Sequence, residues 1–242
     1  MRLKGKKAVV TGAGSGIGKA VVESLVKEGC TVVAGGRDLA KLENVKSQSS
    51  PGSVSVHTVD VGDYGSVEKF IQFAKTQLGQ IDILVNAAGV NTKARTLGDM
   101  KPEQWDEVMR INASGPYYTL RCVIDEMRAR KDGVIINISS TSGKRASMLG
   151  GIAYCASKFA ATATVTAAAL EEGKNGDRVT SIFPGEVDTP LLDQRPAPVS
   201  AERKATMLKP EDVADAVVFV AGLPPRAHVA ELVMKPTVQE YS

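Results

Sequence analysis

The chain has 242 residues, of which 43% are hydrophobic and 24% charged, and its 30 basic and 27 acidic residues leave a net charge of +3. This composition is typical of a globular protein and excludes extensive disorder. The small, dispersed charge gives no indication of nucleic acid as a partner, so we expect a small-molecule ligand. No apolar run approaches the roughly 20 residues that span a bilayer, and we expect no membrane partner.

Short β-branched runs alternate with helical periodicity along the chain. The strands predicted in chain order are KAVVTG, TVVAGG, VSVHTVD, DILVNAAG, GVIINISS, RVTSIFPG and AELVMKP. The helices predicted between them are IGKAVVESLVKEG, LAKLENVK, SVEKFIQFAKTQLG, one long helix EQWDEVMRINASGPYYTLRCVIDEMRAR, a helix over about 151–172 and EDVADAVVFVAGL. Apolar strands without strict alternation are typical of a sheet buried on both faces.

Alternating strands and helices with right-handed crossovers give a parallel sheet. We therefore predict an α/β fold, a Rossmann-like doubly wound parallel β-sheet of about seven strands with helices on both faces, as a single domain over residues 1–242. Residues 186–208, within a Pro-rich stretch, are predicted to form a surface loop that contacts the substrate.

Metal and disulfide chemistry are not indicated. Cys30, Cys122 and Cys155 are odd in number and widely spaced, and only His57 and His228 accompany them. This pattern fits neither a disulfide framework nor a zinc site, so we expect no metal. The first residues are charged and then strand-like, without signal-peptide architecture, and we expect a cytoplasmic protein.

The loop after the first predicted strand is rich in glycine. It runs TGAGSGIG over residues 11–18, and its glycines 12, 16 and 18 allow a tight turn that presents helix N–H groups to a pyrophosphate. The phosphate loop of nucleotide triphosphatases does not match, because Gly18-Lys19 is followed by Ala20. The G-x-G-x-x-G form also fails, since its last position is Ile17.

The motifs that follow resemble those of the short-chain dehydrogenase/reductase family over nearly the whole chain. They are TGAGSGIG, DV at 60–61, NAAG at 86–89, INASG with Asn112, ISS at 138–140, YCASK at 154–158 and PGEVDTP at 184–190. The resemblance implies an oxidoreductase in which Tyr154 is the acid or base, Lys158 lowers its pKa and holds the nicotinamide ribose, and Ser140 holds the substrate oxygen. Asn112 would link Lys158 to a proton-relaying water.

Elementary chemistry agrees with the pairing of Tyr154 and Lys158. A free phenol has a pKa of about 10, too high for an efficient base near neutrality, and a cation one helical turn away favours the phenolate. The serine assignment has alternatives, because Ser140 lies 14 residues before Tyr154, one more than the commonest spacing in the family. Ser139 or Thr141 could supply the hydroxyl instead.

The resemblance also implies a set of cofactor contacts. They are Gly12, Ser15, Gly16, Ile17, Gly18, Arg37, Asp60, Val61, Asn86, Ala87, Gly89, Tyr154, Lys158, Pro184, Gly185, Val187 and Thr189. Asp60 has the alternative role of capping the helix that begins near Asp63, and Thr189 that of an ordinary turn residue.

The end of the second predicted strand bears on which cofactor is used. A carboxylate there would accept hydrogen bonds from the ribose hydroxyls of NAD, but the position is Gly36. Arg37 follows and can pair with a 2′-phosphate, while Asp38 is predicted to cap the helix that starts at Leu39. We therefore expect NADP(H) rather than NAD(H). The alternative is that Asp38 itself reaches the ribose.

We expect hydride transfer between NADP(H) and a secondary alcohol or carbonyl, with small 3-hydroxy acids or 3-oxoacyl compounds as candidate substrates. Lys144 and Arg145 precede Tyr154 without an acidic residue between, which favours an anionic substrate. The alternative is a non-catalytic NADP(H)-sensing protein. The helix over 151–172 is apolar on more than one side, so a homo-oligomer, a dimer or a homotetramer, is expected.

Overall fold

The computed structural model describes residues 1–239 of the chain, so residues 240–242 of the predicted domain lie outside the described residues. Its centre is one sheet of seven parallel strands. The strands are β1 Lys7–Thr11, β2 Thr31–Gly36, β3 Val54–Thr58, β4 Ile83–Asn86, β5 Gly133–Ile138, β6 Asp177–Pro184 and β7 Glu231–Met234. The predicted number and direction of strands are confirmed.

Helices connect the strands. They are α1 Gly16–Lys27, α2 Leu39–Ser47, α3 Tyr64–Leu78, α4 Pro102–Met109, α5 Gly115–Arg130, α6 Ile152–Glu172, α7 Ala201–Ala205 and α8 Pro210–Ala221. One buried cluster joins α1, α2 and α8 to one face of the sheet, and a second joins α3, α5 and α6 to the other. The chain is a single Rossmann-like domain with two helical layers, as predicted.

The strand order is β3-β2-β1-β4-β5-β6-β7. The chain therefore reverses its direction of growth between β1 and β4, whose residues pair in register from Ala8 opposite Ile83 to Thr11 opposite Asn86. In open sheets of this kind, ligands bind beyond the carboxyl ends of the strands at this switch point. The loops that follow β1 and β4 lie there.

Two predicted segments differ from the structure. The single long helix predicted over the fourth crossover is divided into α4 and α5 by a π-helical turn at Arg110–Ser114. A π-turn keeps the helical direction, so hydrophobic periodicity does not reveal it. The predicted surface loop 186–208 contains a 3₁₀ turn at Pro190–Gln194 and the short helix α7, which the Ser200 hydroxyl caps by accepting from the Arg203 N–H.

Candidate functional site

A groove of about 770 Å³ runs across the carboxyl ends of the strands. Its volume is within the range of roughly 300 to 1,000 Å³ that small-molecule sites occupy. The groove is lined by the glycine loop after β1, the chain after β2 and β3, residues 87–92 after β4, the end of β5, and Tyr154 and Lys158 on α6. The sheet topology thus brings together segments that are far apart in sequence.

The glycine loop approaches the chain after β4 more closely than any side chain would permit. Gly12 has φ +67°, and a Cβ there would lie 2.6 Å from the Ala88 nitrogen. Gly16, with φ +50°, begins α1, and a Cβ there would lie 3.3 Å from Thr189. Ser15 is the N-cap residue of α1 and makes no side-chain capping bond, so the first N–H groups of the helix face the groove. This cradle fits a pyrophosphate.

The other end of the groove lies where β2 ends. Arg37 is exposed there, with its guanidinium 3.7 Å from a Glu107 carboxylate oxygen. Asp38 accepts a hydrogen bond from the Lys41 N–H at 3.2 Å, and this caps α2 as predicted. Its other carboxylate oxygen lies 3.7 Å from Lys41 Nζ, so the first turn of α2 engages both oxygens. Two cations, Arg37 and Lys41, line this end together with Gly36.

Asp60 and Val61 also line the groove. The Asp60 carboxylate accepts from the Gly62 N–H at 3.0 Å and from Arg110 at 2.8 Å. Burial raises the pKa of this carboxyl, and the hydrogen bonds from Arg110 and Gly62 outweigh that effect, so the net pKa is lowered. The alternative that Asp60 caps α3 is wrong, since Asp63 performs that role by accepting from the Ser66 N–H at 2.6 Å.

Tyr154, Lys158 and Ser140 meet where the groove joins a smaller cavity. Tyr154 lines both spaces, Lys158 lines the groove and Ser140 lines the cavity. The Ser140 hydroxyl accepts a hydrogen bond from the Ser142 N–H at 3.1 Å, and Ser140 is the neighbouring hydroxyl that lowers the pKa of Tyr154. Of the two alternatives to Ser140, Ser139 is buried and bonded to Thr162 at 3.3 Å. Thr141 also lines the cavity and stays an alternative.

The protonation equilibria of this pair are set by burial. Burial raises the pKa of the Tyr154 phenol, and the hydrogen bond with Ser140 acts in the opposite direction. Burial also lowers the pKa of Lys158 to about 8. Lys158 Nζ donates to the Ile138 carbonyl at 3.0 Å and lies 5.7 Å from the centroid of the Tyr154 ring. In the chain without cofactor, burial raises the pKa of the Tyr154 phenol, whereas the resemblance implied that Lys158 lowers it.

Asn112 is in the π-turn between α4 and α5 and is almost fully buried. Its side-chain oxygen accepts from the Val90 N–H and its nitrogen donates to the Val90 carbonyl, both at 2.8 Å. A Cβ on Gly89 would lie 3.6 Å from the Asn112 oxygen and 3.7 Å from Lys158 Nζ. Asn112 therefore joins the π-turn to the loop after β4, close to Lys158. π-turns of this kind recur at functional sites.

The smaller cavity has a volume of about 170 Å³. Its polar and charged walls comprise Asn91, Arg95, Ser139, Ser140, Thr141, Ser142, Ser147, Tyr154, Glu186, Thr189, Arg195 and Gln239. Its volume is below that of a typical pocket for a drug-sized ligand, so it suits a compact substrate. Parts of the predicted substrate loop, Glu186 to Arg195, form one side of it.

The structure places most, but not all, of the predicted cofactor residues in the groove. Those lining it are Gly12, Ser15, Gly16, Ile17, Gly18, Arg37, Asp60, Val61, Ala87, Gly89, Tyr154, Lys158 and Thr189. Pro184, Gly185 and Val187 line the smaller cavity instead. Asn86 lines neither, because its side chain is buried and accepts from the Thr119 hydroxyl at 2.8 Å.

The basic residues that line the smaller cavity differ from those predicted from the sequence. Lys144 forms an ion pair with Glu231 and lies 4.8 Å from the centroid of the Phe183 ring, and neither Lys144 nor Arg145 lines the smaller cavity. Arg95 and Arg195 line it instead. Arg95 and Arg195 are in loops far from Tyr154 in sequence. The sequence indicates them only by the presence of a basic residue in each loop.

Neither a metal cluster nor a membrane helix is found in the described part of the chain. Within residues 1–239, no group of three or more His, Cys, Asp or Glu side chains is arranged to hold a metal ion. No helix over the same residues has the length and apolarity needed to cross a membrane.

A family model described as short chain dehydrogenase matches residues 6–199. An uncharacterized oxidoreductase of Staphylococcus aureus (strain USA300) is 38% identical over 234 residues, 97% of this chain and 98% of the relative. The solved structure of a serine dehydrogenase in its closed form with NADP+ has a TM-score of 0.90 and 28% identity, covering 98% of this chain and 97% of that one. A 3-ketoacyl-(acyl-carrier-protein) reductase from Brucella melitensis with NADH has a TM-score of 0.87 and 29% identity, covering 97% and 98%.

These matches extend over most of the chain, and the segments that line the groove, the glycine loop and α6 among them, lie within the matched range. The fold described above is that of the matched structures. The chain belongs to the short-chain dehydrogenase family of oxidoreductases.

Proposed function

We propose that the chain transfers a hydride between NADP(H) and a secondary alcohol or its carbonyl, with small 3-hydroxy acids and 3-oxoacyl compounds as candidate substrates. The observation that carries the proposal is the position of Tyr154 between the groove and the smaller cavity, with Lys158 on the groove side and Ser140 on the cavity side. Serine, the compound in the name of one structural neighbour, is a 3-hydroxy acid with a primary hydroxyl, so it shares the position of the hydroxyl relative to the carboxylate but not its substitution.

In this proposal Tyr154 exchanges a proton with the substrate oxygen. The nicotinamide cofactor, when bound, supplies or accepts the hydride. During oxidation the Tyr154 oxygen accepts the hydroxyl proton, and during reduction it returns one to the carbonyl oxygen. Ser140 donates a hydrogen bond to the same substrate oxygen, where charge develops. Lys158 favours the phenolate, and Asn112 positions the loop after β4 and links Lys158 to a proton-relaying water.

Residues of the groove would hold the cofactor along its length. Gly12 and Gly16 let the glycine loop lie against the chain after β4 and Thr189, and the first N–H groups of α1 suit the pyrophosphate. Asp60 and Val61 suit the adenine, and Thr189 the carboxamide of the nicotinamide. Asn86 contributes by fixing the end of β4 beneath the groove, and Pro184, Gly185 and Val187 by shaping the wall that the nicotinamide shares with the smaller cavity.

NADP(H) is proposed as the preferred cofactor over NAD(H). Arg37 and Lys41 line the end of the groove, and Gly36 carries no carboxylate that would repel a 2′-phosphate. The only carboxylate on this short segment, Asp38, has both oxygens engaged by the first turn of α2. Of the two structures described above, the serine dehydrogenase holds NADP+ and the reductase holds NADH, so these two structures alone do not decide.

A homo-oligomer, either a dimer or a homotetramer, is part of the same proposal. Tyr117 on α5 and Phe159 and Leu170 on α6 are exposed, which supports a subunit contact along these helices. The cytoplasmic location stays a prediction.

The test is a screen of secondary alcohols and carbonyls that follows the absorbance of reduced nicotinamide, with NADP(H) and NAD(H) binding measured in parallel. We expect turnover with NADP(H) for at least one small hydroxy compound. An NADP(H)-sensing protein would bind the cofactor and turn over nothing, and that result would favour the alternative function.

A further inference from the structure

The smaller cavity carries an excess of positive charge. Among residues 1–239, its charged lining residues are Arg95, Arg195 and Glu186. Glu186 is buried and pairs with Arg195 at 2.7 Å and also with Arg203, which lies behind the cavity wall. The Glu186 carboxylate therefore forms ion pairs with Arg195 and Arg203, and it forms none with Arg95.

Arg95 has no ion-pair partner among the described residues. Its Nη1 donates to the Gly150 carbonyl at 3.3 Å and its Nη2 to the Gln194 carbonyl at 2.8 Å, which fixes the guanidinium between two loops. Its Nε is buried and has no hydrogen-bond partner. A buried N–H donor without an acceptor is costly, and the cost is greater for a charged group. The fixed guanidinium therefore presents an unused, charge-assisted donor.

The electrostatic surroundings of Arg95 favour an anionic ligand. Burial lowers the pKa of Arg95, and the neighbouring cation Arg195 lowers it further, whereas Tyr154 acts in the opposite direction. An interaction with Tyr154 means that the guanidinium is near the proposed acid or base. A ligand whose reacting oxygen contacts Tyr154 and Ser140 would therefore extend toward Arg95 within a cavity of about 170 Å³.

We propose that Arg95 binds the carboxylate of the substrate, so that the substrates are small hydroxy acids and the corresponding keto acids. This inference rests on the proposed function and makes it more specific. Arginine suits a carboxylate because its planar guanidinium is always charged and forms directional hydrogen bonds. The small volume restricts the substrate to a few carbon atoms between its carboxylate and its hydroxyl. Neutral alcohols of the same size would leave the Arg95 Nε unpaired.

The experiment compares hydroxy acids with their methyl esters, which have the same hydroxyl and lack the charge. The probes are 3-hydroxybutyrate, 3-hydroxypentanoate and threonine, all secondary alcohols, each with its methyl ester, in NADP+-dependent oxidation. Binding is measured independently from the fluorescence of NADPH held by the protein, because a hydroxy acid cannot react with the reduced cofactor. The Kd of this dead-end complex does not depend on turnover.

Two variants of Arg95 and one matched control separate charge from fold. Arg95→Met removes the guanidinium, and Arg95→Lys retains the charge without its planar donors. Lys93→Met makes the same change of charge in the same loop, on an exposed side chain that lines neither cavity. Because Arg95 also holds two loop carbonyls, the Tm and NADPH affinity of each variant show whether the fold is retained.

We expect the wild type to prefer acids over esters in kcat/KM by roughly 10- to 150-fold, the range of one charge-assisted hydrogen bond. Arg95→Met should abolish the preference and weaken the dead-end complex by a similar factor, Arg95→Lys should retain part of it, and Lys93→Met all of it. Equal use of esters, an unchanged preference in Arg95→Met, or oxidation of neutral alcohols alone would overturn the inference while leaving the proposed function intact. If no alcohol is oxidised, the proposed function fails, and the dead-end Kd still decides whether Arg95 binds the carboxylate.

Discussion

Lys158 Nζ lies 5.7 Å from the centroid of the Tyr154 ring while it donates a 3.0 Å hydrogen bond to the Ile138 carbonyl. The ammonium is therefore buried near the phenol, at the wall of the groove, and within residues 1–239 the Ile138 carbonyl is its one hydrogen-bond partner. Burial of a cation with so little compensation is unfavourable for the fold. This relationship suggests that the pair is arranged for chemistry rather than for stability.

The first prediction concerns the stability cost of Lys158. Its pKa in the folded chain is about 8, against 10.5 for the free side chain. Between these two pH values the unfolded chain binds the extra proton, so the contribution of Lys158 to the free energy of unfolding rises with pH from 8 to 10.5. Replacing Lys158 by Met should stabilise the cofactor-free chain at pH 7 by about 1 to 3 kcal/mol, after the lost hydrogen bond is counted.

Urea unfolding of wild type and Lys158→Met at pH 7 and pH 9.5 measures this effect. The gain should be smaller at pH 9.5, where the wild-type amine is neutral in the folded state. A variant that is less stable than the wild type at pH 7, or a gain independent of pH, would contradict the assigned cost. Turnover should be lost in either case, because Lys158 is also proposed to act on the phenol and the ribose.

Asp177 provides a pH-dependent prediction at the opposite end of the sheet. It begins β6, is almost fully buried, and neither carboxylate oxygen has a hydrogen-bond partner. Burial raises its pKa from 3.8 to about 6, and the nearby Glu172 acts in the same direction. Its stabilising contribution is complete below pH 3.8 and is lost as pH rises through 6, because the folded chain must then hold a buried anion.

Asp177→Asn should therefore raise the free energy of unfolding at pH 8 by about 1 to 3 kcal/mol and by less at pH 5. Turnover should be unchanged, since the site lies beyond the other end of β6. The control is Asp215→Asn, on an exposed side chain of α8. An equal effect of both substitutions, measured by urea unfolding at the two pH values, would contradict the assignment.

A comparison of two glycines with similar φ angles separates the cost of backbone strain from the cost of a steric contact. Gly12 has φ +67° and Gly52 has φ +77°, but a Cβ on Gly12 would lie 2.6 Å from the Ala88 nitrogen, whereas nothing lies within 4 Å of one on Gly52. Gly52→Ala should cost about 1 to 2 kcal/mol from backbone strain alone. Gly12→Ala should cost more and also weaken NADPH binding, because the glycine loop must move away from the chain after β4.

Thermal unfolding and an NADPH titration of both variants test this difference. Equal stability losses together with normal NADPH affinity in Gly12→Ala would show that the close approach of the two loops is not needed to hold the cofactor.

The cofactor preference rests on Arg37 and Gly36. Arg37→Ala should remove most of a preference for NADPH over NADH of roughly 10- to 150-fold, the range of one charge-assisted hydrogen bond. Gly36→Asp should reverse it, and the structure can accept the new side chain, because a Cβ there would lie 3.6 Å from Leu42. The Kd values of NADPH and NADH are measured at one ionic strength. In Arg37→Ala the NADH affinity is the internal control and should not change; equal or tighter binding of NADH by the wild type would contradict the preference.

Much of the fold follows from local patterns in the sequence. The seven strands contain short runs of β-branched and other apolar residues, which indicate a buried parallel sheet. The spacing of the glycines after β1 is typical of a close backbone turn, so topology rules place that loop at the switch point. The cap of α2 by Asp38 follows from side-chain chemistry alone. These features depend on neighbouring residues, which a sequence displays directly.

The features that were missed depend on contacts between distant segments. Arg95 reaches the smaller cavity only because the chain after β4 folds over the N-terminus of α6, where it meets Gly150. Lys144 was predicted to face the substrate, but its partner Glu231 is on β7, which the sequence gives no means to pair with it. The π-turn at Arg110–Ser114 adds a residue to one turn of the helix, and the side chain of its Asn112 bonds to Val90 in the loop after β4. Each of these three features can be identified only from the tertiary structure.

The most direct test of the account is the turnover of Tyr154→Phe, which removes only the phenolic oxygen. With a substrate identified for the wild type, kcat should fall by at least about 100-fold, the usual effect of removing a general acid or base, while the Kd of NADPH stays within about twofold. Tyr64→Phe, which removes the same oxygen from an exposed side chain of α3 that lines neither cavity, is the matched control and should retain turnover. Near-normal turnover of Tyr154→Phe would contradict the proposed mechanism.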